Sequence, residues 1–101
     1  MGGFDEERTS YYKTGNIKEK STYINNHEQG ECEFYYNNGR IKKRYNIINR
    51  KKDGPEETYY ANGNRKTIVH YTNGKKEVVA LFWDRNGQET QIDYHNDQRR
   101  K

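Results

Sequence analysis

The chain has 101 residues, 29% of them hydrophobic, a formal charge of +4 and a single cysteine. That length holds one compact domain or one short repeat array, and so few aliphatic side chains cannot fill a thick two-layer core. One cysteine excludes an internal disulfide framework and permits a reducing compartment, and 19 bases mixed with 15 acids fall short of a nucleic-acid signature.

Residues 1–7 read as a flexible lead-in, with Gly2 and Gly3 followed by Asp5-Glu6-Glu7 and only Phe4 to bury. The acids are wrong for a mitochondrial presequence. Glu6 stands where a myristoylation signal needs Ser or Thr. No apolar run reaches ten residues, so neither a transmembrane helix nor a signal peptide is expected. The expectation is a soluble, intracellular, cytoplasmic protein.

From residue 8 a 24-residue period takes over. Tyr11-Tyr12-Lys13-Thr14-Gly15 returns as Tyr35-Tyr36-Asn37-Asn38-Gly39 and as Tyr59-Tyr60-Ala61-Asn62-Gly63. A worn fourth copy, Trp83-Asp84-Arg85-Asn86-Gly87, keeps the step. A fixed period of this length signals a repeat architecture. It also argues against disorder, which the high charge would otherwise suggest. Asn-Gly between strand-like runs predicts a type I′ hairpin turn, since Asn and Gly tolerate positive φ. With Asn38-Gly39 as the turn pair, Cys32 faces Tyr45, Phe34 faces Lys43, Tyr36 faces Ile41 and Tyr35 faces Lys42. One face then carries Cys32, Phe34, Tyr36, Ile41, Tyr45 and Ile47, and the other Glu31, Glu33, Tyr35, Lys42, Arg44 and Asn46.

A second reversal closes each unit, at Asn25-Asn26, Asn49-Arg50 and Asn73-Gly74. In the fourth unit the same register sets Leu81 opposite Ile92, Trp83 opposite Thr90 and Val79 opposite Tyr94. Apolar residues thereby move to the face that is charged in unit two. The expected fold is all-β: a single-layer, twisted antiparallel meander of about eight short strands built from 24-residue hairpin repeats. Residues 8–95 form the array of four copies, the last degenerate, and residues 96–101 a basic tail.

The unit Tyr-Tyr-x-Asn-Gly-x-Ile-Lys, followed by a Gly-preceded, Glu-rich strand, resembles the MORN repeat family, most closely the variant form of bacterial antitoxin-like proteins. The matches are Tyr35-Tyr36-Asn37-Asn38-Gly39 with Gly54, and Tyr59-Tyr60-Ala61-Asn62-Gly63 with Asn73-Gly74-Lys75. Trp83-Asp84 in place of the Tyr pair, and Val78 where Gly30 and Gly54 predict glycine, depart from it. The resemblance implies a non-catalytic scaffold or protein-interaction module inside a larger assembly. Membrane, cytoskeletal and ciliary locations occur among eukaryotic relatives, and neutralising a toxin is the bacterial alternative.

Tyr12, Tyr36 and Tyr60 are expected to stack as an aromatic ladder near Phe34. With Leu81, Trp83 and Ile92 they form the candidate partner-binding set, their plainer role being the packing of a thin sheet. Tyr11, Tyr35 and Tyr59 are expected opposite Lys18, Lys42 and Lys66, each pair worth roughly 0.2–1 kcal/mol. Arg50, Lys51, Lys52, Lys75 and Lys76 form a candidate basic edge for acidic lipid, nucleic acid or an acidic protein, or else a solubility device. His27, His70 and His95 have no metal-ligand spacing, and Cys32 reads as a buried thiol. No phosphate loop or nucleophile elbow is present, so no enzyme, cofactor, metal or small-molecule substrate is expected. Partner proteins or self-association are expected instead.

Overall fold

The computed structural model describes residues 5–93. Ten strands follow one another: β1 (Asp5–Tyr11), β2 (Ile17–Ile24), β3 (His27–Glu28), β4 (Gly30–Tyr35), β5 (Ile41–Ile48), β6 (Lys51–Lys52), β7 (Gly54–Tyr59), β8 (Arg65–Thr72), β9 (Lys75–Trp83) and β10 (Glu89–Asp93). They form one antiparallel sheet in the order β1-β2-β4-β5-β7-β8-β9-β10, with β3 and β6 as two-residue pieces on β2 and β5. The molecule measures 49 × 35 × 15 Å, the thickness of a single sheet with its side chains. The expected open meander is therefore what forms. β1 begins at Asp5, so residues 5–7 belong to the first hairpin, while residues 1–4 and the basic tail lie outside the described residues.

The two edges of the sheet reverse by different chemistry. At the Asn-Gly edge the Gly39 N–H donates to the Tyr36 carbonyl (3.0 Å) and the Tyr36 N–H to the Arg40 carbonyl (2.9 Å). Only Gly39 takes positive φ there, at 92°. This is a three-residue loop, a type I turn followed by a glycine in the left-handed region, and not the expected type I′ pair. The Asn38 side chain helps decide the outcome, because its Oδ1 accepts from the Arg40 N–H (2.9 Å) and closes the loop. The type I′ pairs sit at the opposite edge: Asn25 (φ 54°) with Asn26 (69°), Asn49 (53°) with Arg50 (68°), and Asn73 (53°) with Gly74 (88°).

The longer loop changes the register near the turn. Cys32 pairs with Tyr45, Glu33 with Arg44 and Phe34 with Lys43, as expected. A bulge then sets Tyr35 opposite Ile41, where Lys42 was expected. Units one and three shift in the same way, at Tyr11 with Ile17 and at Tyr59 with Arg65. The fourth unit has the loop without the compensating bulge. Ile92 therefore pairs with Ala80, Gln91 with Leu81 and Thr90 with Phe82. The expected pairings of Leu81 with Ile92 and Trp83 with Thr90 are displaced by one residue, and such a slip moves a residue to the other face.

Alternation along the paired strands places Ser21, Cys32, Tyr45, Glu56, Val69 and Ala80 on one face, in a row across the sheet. Four of them are buried: Ser21 (4% exposed), Cys32 (0%), Val69 (8%) and Ala80 (1%). Ile47 is the other buried apolar residue among those described. Among the described residues no second layer covers this row; long cationic side chains do so instead. Lys43 Nζ lies 5.0 Å from the Phe34 ring centre and 5.7 Å from that of Tyr45. Lys52 Nζ lies 4.8 Å from the Tyr45 ring and 5.1 Å from Tyr71, and bonds Glu56 at 2.8 Å. Lysine stems lying over rings, with the ammonium group still near water, let a sheet this poor in aliphatics keep a dry strip.

Candidate interaction surfaces

The repeated tyrosines join one unit to the next. The Tyr12 hydroxyl donates to the Tyr35 carbonyl (2.6 Å), Tyr36 to Tyr59 (2.7 Å) and Tyr60 to Trp83 (2.9 Å). Their rings do not stack on each other as expected; the ring pair resolved among the described residues is Phe34 with Tyr45, 5.9 Å apart. The lysines also sit elsewhere than expected. Lys18, Lys42 and Lys66 lie over Tyr12, Tyr36 and Tyr60, at 5.6, 5.5 and 5.5 Å, because the bulge turns each lysine away from the first tyrosine of its unit.

The loops add a second ladder beside the first. Asn38 Nδ2 donates to the Ala61 carbonyl (2.9 Å) and Asn62 Nδ2 to Arg85 (3.2 Å). One residue past the glycine, Asn16 donates to the Asn37 carbonyl, Arg40 to Asn62, and Asn64 to Arg85. Sequence reasoning treated these asparagines as turn formers alone. The missed signal is their recurrence on both sides of the glycine, which a turn by itself does not require.

The opposite face carries a charged network. Arg44 bonds Glu57 Oε1 through Nε (3.1 Å) and Nη2 (2.9 Å), and lies 3.9 Å from Glu31. Burial works against the Glu57 carboxylate, but hydrogen bonds from Arg44 and Tyr59 outweigh it and hold its pKa below the usual range. The Tyr35 hydroxyl donates to Glu33 (2.7 Å), and that bond with burial pushes its pKa up to about 12. Next to this network Ile68 pairs with Leu81, both half-buried, so the expected apolar patch on the charged face persists in part. Trp83 is half-buried beneath Arg65, 5.6 Å from its ring. Phe34 is half-buried under Lys43, and the Ile92 side chain lies outside the described residues.

The five bases expected along one edge are only partly free to act together. Lys52 turns inward onto Glu56, and Arg50 Nη2 bonds His27 Nε2 at 2.8 Å. Lys51 packs against Gly74, its Cδ 3.4 Å from where a Cβ would stand. Lys75 and Lys76 are exposed, and Lys76 has an interaction partner of its own. Burial first, and then Glu28, whose carboxylate accepts from the Cys32 thiol (3.1 Å), push that thiol up to about 12, far from nucleophilic. No group of three or more His, Cys, Asp or Glu side chains among the described residues is arranged to hold a metal.

An open, one-layer sheet of hairpins joined by identical hydrogen bonds at a fixed step defines a repeat protein of the stacked-hairpin class. The sequence model of the MORN repeat variant matches residues 7–25, 28–49 and 52–75, together well over half of the 101 residues. The chain belongs to that family. Each match takes in a hairpin centred on an Asn-Gly-type loop and stops close to the type I′ turn that follows. The fourth unit, whose register differs, lies beyond them. Neither a curated protein nor a solved structure matches the chain. MORN repeats are generally non-catalytic and associated with protein or membrane binding.

Proposed function

We propose that this protein is a non-catalytic scaffold that holds a protein partner, or a second copy of itself, within a larger intracellular assembly. One observation carries the reading: the sheet is 15 Å thick, and both broad faces keep half-exposed aromatic and charged side chains in fixed rows. Such a sheet has much surface and little core, so docking supplies burial that the chain cannot supply alone. The cytoplasm is the proposed location, with a cytoskeletal or ciliary complex as the finer reading drawn from the repeat family.

Affinity purification from the native source, with size-exclusion chromatography and light scattering on the isolated protein, tests this. A specific partner or a defined oligomer is expected. A cooperative monomer that recovers no partner would overturn it. The basic edge of Arg50, Lys51, Lys52, Lys75 and Lys76 is not favoured as a binder of acidic lipid or nucleic acid, since Arg50 and Lys52 are held by His27 and Glu56.

A further inference from the structure

The basic character of the chain is concentrated on the other edge. Its loop segments, residues 11–18, 35–42, 59–66 and 83–90, contain Lys13 and Lys18, Arg40 and Lys42, Arg65 and Lys66, and Arg85 beside Asp84 and Glu89. Seven cations against two acids give this edge a formal +5, while the whole chain is +4, so the remainder is slightly acidic. All seven cations are exposed, and none forms an ion pair within 4 Å among the described residues. By contrast Arg8, Arg44 and Lys52 are all paired with carboxylates. A row of unpaired cations held on one side of a protein attracts an anionic partner.

Three of these cations share the same ring contact. Lys18, Lys42 and Lys66 each rest on a tyrosine ring at 5.5–5.6 Å, and each ring is fixed by its hydroxyl bond to the next unit. The row is thus a rigid feature with a regular step. Each unit contributes two strands about 4.8 Å apart, so the step is ~10 Å. An α-helix rises 1.5 Å per residue and returns to the same face after seven residues, ~10.5 Å on. An extended strand presents the same face every ~6.6 Å and falls out of step at once. Beside Lys66 the edge opens into a shallow groove of about 400 Å³ floored by Tyr36, Tyr60 and Ala61 and flanked by Arg85, room for an apolar side chain from such a helix.

We propose that this edge docks an acidic α-helix of a partner protein, with a carboxylate at every seventh residue over Lys18, Lys42 and Lys66. The proposal rests on the scaffold reading and names the chemistry of the partner. The three contacts span ~20 Å, or about fifteen helical residues.

The test is fluorescence anisotropy with the full chain and two synthetic helical peptides of equal composition. One has glutamate at every seventh position on one face, and the other has the same glutamates at every fifth. The heptad peptide should bind at least about tenfold tighter than its isomer. Combined Lys18→Gln, Lys42→Gln and Lys66→Gln substitution should abolish binding, the three Lys→Arg changes should retain it, and Lys51→Gln with Lys75→Gln should leave it unchanged. Unaltered circular dichroism of each variant shows that the sheet is intact. Equal binding of both peptides overturns the proposal, as does stronger binding of a single-stranded oligonucleotide or phosphatidylserine vesicles. A native partner that docks without an acidic helix overturns this inference and leaves the scaffold reading standing.

Discussion

Tyr36→Phe isolates what the hydroxyl ladder contributes. The substitution keeps the ring and the Lys42 contact at 5.5 Å and deletes one bond, the 2.7 Å donation to the Tyr59 carbonyl. A net hydrogen bond contributes about 1 kcal/mol, and this one is half-buried with a carbonyl acceptor that loses its side-chain partner. For a domain of this size that corresponds to a fall in Tm of ~4–8 °C. Tyr12→Phe and Tyr60→Phe remove the equivalent bonds, so each should cost a similar amount. Units contact chiefly their neighbours, so the three costs should add to about 3 kcal/mol, each sum good to ~0.5 kcal/mol. Tyr11→Phe is the control: Tyr11 is 60% exposed, its hydroxyl makes no hydrogen bond among the described residues, and the change should stay within ~0.5 kcal/mol. Urea unfolding followed by circular dichroism reads all four variants. Equal cost for Tyr11→Phe and Tyr36→Phe would refute the reasoning, because the loss would then follow from removing any tyrosine hydroxyl.

Three further outcomes are expected. Arg50 holds φ 68°, a region that costs an L-residue roughly 1–2 kcal/mol; after losing the exposed His27 contact and gaining unfolded-state freedom, Arg50→Gly should still stabilise by about 0.5 kcal/mol in urea unfolding. Cys32 keeps its proton in the folded state to about pH 12 against 9.0 ordinarily, so its share of stability is complete below pH 9 and is lost as pH rises towards 12. Tyr35, raised from 10.0 to about 12, adds a later decline, so in Cys32→Ala the fall in urea midpoint should begin nearer pH 10. Arg44→Gln should cost less than about 1 kcal/mol, since the Arg44 side chain is 38% exposed, and the loss should shrink in high salt.

The period of the glycines was enough to predict hairpins, antiparallel order and the pairing of Cys32 with Tyr45. The hairpins and their antiparallel order follow from turn position and strand alternation, both local properties, whereas the Cys32–Tyr45 pairing holds because the bulge between Phe34 and Tyr35 offsets the extra loop residue. The loop type was not legible, because Asn38-Gly39 suits either a two-residue or a three-residue reversal. What separates them is the Asn38 Oδ1 bond to the Arg40 N–H, together with the amide it sends on to Ala61 in the next unit. Contacts at a separation of 23 residues have no local signature. The lysine cover over the core row was hidden for a similar reason. Lys52 looked like an edge base until the turn at Asn49-Arg50 brought it over Tyr45 and beside Glu56.

The same contacts explain why the ladder stops where it does. Tyr12, Tyr36 and Tyr60 each reach forward to the next unit, and the corresponding position in the fourth is Asp84. Its carboxylate turns back to accept from the Asn86 and Gln88 N–H groups, both at 2.9 Å, and so closes its own loop. A charged side chain bonded to its own backbone gives no hydroxyl to a following unit. A tyrosine at this position would instead offer its hydroxyl beyond the fourth unit, as Tyr60 offers its own to Trp83. The departure from the repeat at Asp84 therefore ends the hydroxyl ladder by one substitution.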